Sequence, residues 1–195
     1  DEFNIDIIPL RIRFGEEELL QGRDVTKENF YQIVRERGLP PKTSLPSPAE
    51  VINFYRQIAA KNDEIISIHI GSKLSGTFSV IQTAARDLVG ELNVFPLDSG
   101  AGSAALGFMC REARIMEQKG KSLEQILAHL RVIRDHITII FTLENLEFAR
   151  LSGRINTFQT AISSLLRINP IIMLRDGLLQ MGDKVRTRQK AIERV

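Results

Sequence analysis

The chain has 195 residues, 43% of them hydrophobic, enough to bury a sizeable core in one large domain or two small ones. Its 26 basic and 24 acidic residues leave a formal charge of +2, so the overall balance carries no footprint for a nucleic acid or an anionic membrane. The lone cysteine, Cys110, excludes an intrachain disulfide, and no run approaches the roughly 18 apolar residues that cross a bilayer, so the expectation is a globular protein of the reducing cytoplasm.

In chain order, Ile5 to Phe14, with Pro9 inside it, reads as an edge strand; Gly15-Glu16 makes a turn and Glu18 to Gln21 returns. Thr26 is expected to cap a helix from about Lys27 to Arg37, closed by Gly38. The prolines of Leu39 to Pro46 predict an extended surface segment. Ser47-Pro48-Ala49-Glu50 then predicts a helix start: a serine cap, a proline in the first turn and a glutamate closing a capping box. Val51, Phe54, Tyr55, Ile58 and Ala59 fall on one face of that helix.

Glu64 to Ile70 is apolar and β-branched enough for a buried strand, and Gly71-Ser72-Lys73-Leu74-Ser75-Gly76-Thr77 follows it directly. Phe78, Ile81, Ala84, Ala85 and Leu88 predict a helix ending at Gly90, and Asn93 to Leu97 a second strand, which makes a strand, helix, strand unit. After Asp98-Ser99-Gly100, Ser103 to Lys119 reads as a long helix, and Ser122 with Gln125 caps another that reaches about Asp135. From Ile137 the pattern changes to a strand through Leu143, a short helix through Arg150, the turn Ser152-Gly153-Arg154 and a helix from Thr157 to Leu166. Ile168 to Leu174 and Leu178 to Val185 read as a hairpin about Asp176-Gly177. The predicted fold class is α/β: a parallel-sheet N-terminal domain over 1–135, and a smaller α/β second domain over 136–195. A start at Asp1 without methionine and a stop at Val195 inside a helical pattern lead to the expectation of a fragment.

Three segments carry hydroxyls that a fold could gather: Thr43-Ser44, the loop with Ser72, Ser75 and Thr77, and Ser99. The loop lies at a strand's carboxyl end, where open α/β sheets take ligands, and neutral donors beside a helix N-terminus suit a carboxylate. Each segment alone is ordinary capping chemistry; their combination points to a small anionic group. A nucleophile, base and acid could be assembled from Ser75, His69 and Asp98, which keeps a serine-dependent esterase or hydrolase as the alternative. Against it, no Gly-x-Ser-x-Gly elbow surrounds a serine, and His69 sits in a strand expected to be buried on both faces. Asp98 before Ser99 reads as a turn and cap residue. His129 and His136 lack metal-ligand spacing, and neither a Walker A sequence nor Gly-x-Gly-x-x-Gly occurs. Arg154 could reach an anion from its turn. Lys184, Arg186, Arg188, Lys190 and Arg194 form a basic run, which leaves an interaction module as a third reading.

Taken together, Phe14-Gly15, Pro40 to Ser47, Lys73-Leu74-Ser75-Gly76-Thr77, Asp98-Ser99, Leu151 to Ile155, Asn169-Pro170-Ile171 and Lys184 to Thr187 resemble the DegV family in order and spacing. The resemblance implies a fatty-acid-binding protein of two α/β domains with the acyl chain buried between them. It further implies that such proteins present the acid to a fatty acid kinase in phospholipid metabolism, with no cofactor beyond the bound lipid. By this likeness Thr43 and Ser75 match the carboxylate-binding threonine and serine, and Arg154 the arginine of a Gly-Gly-Arg-Ile turn; Ser72 and Thr77 are further candidates. Gly71, Leu45 and Ser152 stand where the family usually has serine, glutamine and glycine. The family also begins one strand earlier, with its own Asp-Ser pair, and continues further into the second domain. Physically, burying about sixteen carbons at roughly 0.8 kcal/mol each contributes on the order of 12 kcal/mol before the costs of association, so hydroxyls need only orient the head.

Overall fold

The computed structural model describes residues 3–143 and 169–195. They fall into two compact units, one drawn from Asp6–Ser67 and Gly76–Pro96, the other from Asp1–Ile5, Ile68–Ser75 and Leu97–Val195. The second of these units holds the last sheet together with the helices before it.

In the first unit, β1 (Arg11–Phe14) pairs antiparallel with β2 (Glu17–Leu20) on one side and with β3 (Lys42–Ser44) on the other. β1 is therefore the central strand and not an edge. Pro9 lacks the N–H that a ladder needs, so pairing starts only at Arg11, after the proline, and both edges of the shortened strand stay available. β3 accounts for the middle of the proline-rich segment, with Ile12 opposite Thr43. Helix α1 (Phe30–Arg37) starts later than Thr26, because Thr26 and Asn29 form a local turn first: the Thr26 N–H donates to Asn29 Oδ1 at 2.7 Å and the Glu28 N–H to Thr26 Oγ1 at 3.3 Å. Gly38 closes α1 with a φ of +61°.

Helix α2 (Pro48–Ile58) begins as its residues dictate. The Glu50 N–H donates to Ser47 Oγ, and the Ser47 N–H returns the bond to the Glu50 carboxylate at 2.8 Å. Ser47→Ala is expected to lower the free energy of unfolding by about 1 kcal/mol, read as a lower urea midpoint at unchanged slope.

Two parallel strands, β4 (Glu64–His69) and β5 (Asn93–Asp98), are joined by α3 (Thr77–Asp87). Their direction follows from the bonds that flank them, Asn93 N–H to the Asp63 carbonyl and Ser99 N–H to the His69 carbonyl, which keep one sequence offset. The first unit's core forms where α2 meets α3: Val51 and Tyr55, one turn apart, pack with Ile81, Ala84, Leu88 and Leu92. The Tyr55 hydroxyl is not wasted in that core; it lies 2.5 Å from Ser67 Oγ. Ile58, predicted on the same face, is 38% exposed at the end of the helix.

In the second unit, α4 (Ser103–Gln118) packs on α5 (Leu123–His136), burying Ala105 and Met109 on one and Ile126 and Leu130 on the other. Ser122 and Gln125 close the predicted capping box. The last sheet has the order β6 (Ile139–Thr142), β7 (Asn169–Arg175), β8 (Leu178–Val185), all antiparallel. The β7–β8 turn places Asp176 and Gly177 at φ values of +53° and +71°, the tight hairpin geometry that an Asp-Gly pair predicts. Ile172 anchors this sheet against Phe141, Leu143, Leu179 and Met181. A short helix, α6 (Arg188–Arg194), follows with Thr187 as its cap. The helices predicted over 144–150 and 157–166, and Arg154 between them, lie outside the described residues.

Candidate functional site

The hydroxyl loop grows out of β4. His69, the strand's last residue, is 8% exposed, and burial drives its pKa from 6.5 down to about 4. A neutral, weakly basic imidazole in a strand is poorly matched to the general base that the hydrolase alternative requires.

Beyond it, the chain turns on Gly71. The Gly71 N–H donates to the Ala101 carbonyl at 2.7 Å, while the Gly71 carbonyl accepts from the N–H groups of Leu74 and Ser75 at 2.9 and 3.2 Å. A β-carbon on Gly71 would stand 3.0 Å from the Gly100 carbonyl carbon, so the two loops approach as closely as glycine allows.

Asp98, at the end of β5, receives the loop. Its Oδ1 accepts from the Ser72 N–H at 3.1 Å and from the Gly100 N–H at 2.9 Å, and its Oδ2 accepts from Ser72 Oγ at 2.6 Å. Arg134 Nη2 stands 3.7 Å from the same Oδ2. Burial works to raise the carboxyl's pKa, but the Ser72 hydroxyl, the two N–H groups and the Arg134 charge outweigh it and hold it below the ordinary 3.8. A serine hydroxyl has one proton to give, so in this arrangement the proton of Ser72 goes to Asp98 and not to a bound anion.

Ser99, predicted among the candidate hydroxyls, turns inward. It is fully buried, its Oγ accepting from the Ala101 N–H at 3.1 Å and donating to the Ala101 carbonyl at 3.2 Å, which makes it a turn residue. Lys73 points elsewhere: its Nζ donates to the Asp176 carbonyl at 3.0 Å, and its aliphatic stem lies against Gly177.

In the first unit, Thr43 is exposed on β3, and the chain after it brings the Leu45 side chain to Gly76, where a β-carbon would sit 3.0 Å from Leu45 Cδ1. Gly76 opens α3 without any side-chain cap, and Thr77, the first residue of that helix, is buried. Ser72 and Ser75 thus fall in one unit with Asp98, and Thr43 and Thr77 in the other. Sequence reasoning passed over Asp98 as an organiser; the signal available was an acidic residue closing a strand opposite a serine-rich loop. Among the described residues, no group of three His, Cys, Asp or Glu side chains could hold a metal ion, and no helix is long and apolar enough to cross a membrane.

Comparison with known proteins places these elements in context. The family model of an uncharacterised protein family, DegV, matches residues 1–195. Protein DegV of Bacillus subtilis (strain 168) is 31% identical over 196 residues, spanning 100% of this chain and 69% of that protein. A solved structure described as fatty acid binding of a DegV family protein from Thermus thermophilus superposes with a TM-score of 0.86 at 32% identity, over 98% of this chain and 68% of that one. The crystal structure of DegV, a fatty acid binding protein from Bacillus subtilis, gives a TM-score of 0.88 at 31% identity, over 99% and 68%.

Proposed function

From the premise that this chain belongs to the DegV family, we propose that it binds a long-chain fatty acid, with the carboxylate held by the hydroxyls of Thr43 and Ser75. The observation that carries the reading is the fatty-acid binding of two superposable structures that share about a third of their residues with this chain. The loop's chemistry supports it: neutral donors on a glycine-rich turn at the carboxyl end of a buried parallel strand can solvate one carboxylate, and the acyl chain supplies the affinity. Thr77 and Arg154 are further headgroup candidates. Residues 1–135 and 136–195 form the two α/β domains of this reading, and the protein works in the cytoplasm. The bound acid is the substrate that a separate fatty acid kinase converts to acyl phosphate. Such a carrier has to shield the acyl chain and orient its head, and needs no base poised beside a nucleophile.

The test is a comparison of heads on one tail. Palmitate should bind more tightly than 1-hexadecanol, and both more tightly than hexadecane. Equal affinity for all three would remove the hydroxyl-held carboxylate from the account.

A further inference from the structure

The loop that carries Ser75 is fixed from outside itself. Of the three hydrogen bonds received by Asp98, two come from Ser72, and the third ties down Gly100, the residue that leaves Gly71 no room for a side chain. Ser75 is in turn suspended from the Gly71 carbonyl through its own N–H. The path from the Asp98 carboxylate to Ser75 is therefore a single turn of chain, held at Ser72 by Asp98 and at Gly71 by the Ala101 carbonyl. A carboxylate suits this position because it accepts several bonds at once with charge-assisted strength, and Arg134 offsets its charge at 3.7 Å. Asparagine would present one oxygen in place of two and turn an N–H₂ toward donors.

We propose that Asp98 is a positioning residue for fatty-acid recognition, clamping residues 71–75 in the conformation that aims the Ser75 hydroxyl at the carboxylate. The inference rests on the proposed role of Ser75. Asp98 touches no ligand in this account; it acts only through Ser72 and the turn.

Three variants, Asp98→Asn, Ser75→Ala and the double, are titrated with palmitate and with 1-hexadecanol. Asp98→Asn is expected to weaken palmitate about tenfold while changing hexadecanol little. The double variant should bind palmitate no more weakly than Ser75→Ala alone, because the clamp has nothing left to aim. Equal weakening of both ligands by Asp98→Asn would overturn the proposal in favour of a general structural role, as would losses that simply multiply in the double variant. Failure of the underlying reading looks different: Ser75→Ala itself would leave palmitate affinity unchanged, and the proposal would fall with it. Should Asp98→Asn not fold, Ser72→Ala removes one of the three bonds. It is expected to give a smaller loss with the same preference for palmitate, and a loss shared equally by hexadecanol would again overturn the clamp.

Discussion

Replacing Ser75 by alanine is expected to weaken palmitate binding by about tenfold to a hundredfold while leaving 1-hexadecanol within a few-fold of its original affinity. A hydrogen bond to a charged partner contributes about 1.5–3 kcal/mol, against roughly 1 kcal/mol for a neutral pair, so the deficit falls on the ligand that carries the charge. The Ser75 N–H keeps its bond to the Gly71 carbonyl in this variant. Thr43→Ala should follow the same pattern. Equilibrium titration of both ligands against both variants checks it, and a loss shared equally by acid and alcohol would mean that the pocket, not the headgroup, had been damaged.

The second large effect is on stability in acid. His69 is buried, and its pKa falls from 6.5 to about 4 on folding. Between those values the unfolded chain takes up a proton that the folded chain refuses, so stability falls as the pH drops through this window. The full shift corresponds to about 3 kcal/mol, reached near pH 4. Asp98 acts lower on the scale: its carboxyl is held below 3.8 in the fold, so its stabilising contribution is intact above that value and is lost only as the pH falls further. Urea unfolding measured between neutral pH and pH 4 should show a steady decline that a His69→Gln variant lacks. A wild-type profile flat across that interval would show that His69 is not buried as described.

How much of this was legible in the sequence divides along the range of the interactions involved. Ser47-Pro48-Ala49-Glu50 specifies the start of α2 within four residues, Ser122 with Gln125 does the same for α5, and Asp176-Gly177 specifies its hairpin turn; the structure contains all three. The central place of β1 depended on a partner, β3, that lies far along the chain, and period-2 patterning says nothing about which edges a strand leaves open. α1 starts later than the sequence predicts because the Thr26 N–H is taken by Asn29 Oδ1 before the helix begins, a competition that composition does not resolve.

At the site the same limit applies. Hydroxyls were visible as residue types, but their partners were not. Ser99 looks no different in sequence from Ser72, yet one is enclosed in a turn around Ala101 and the other is bound to a carboxylate at the end of the neighbouring strand. Asp98 is an ordinary turn residue by its neighbours and becomes an organiser only when β4 and β5 lie side by side. The family likeness, carried by motifs spread across the chain, reached further than any one of them.

Native mass spectrometry of the protein as expressed in bacteria decides whether it binds a long-chain fatty acid as proposed. The expected result is a stoichiometric adduct that denaturing extraction releases as a fatty acid, and whose mass gives the chain length. Protein that is empty as isolated and stays empty after incubation with excess palmitate would rule the proposal out.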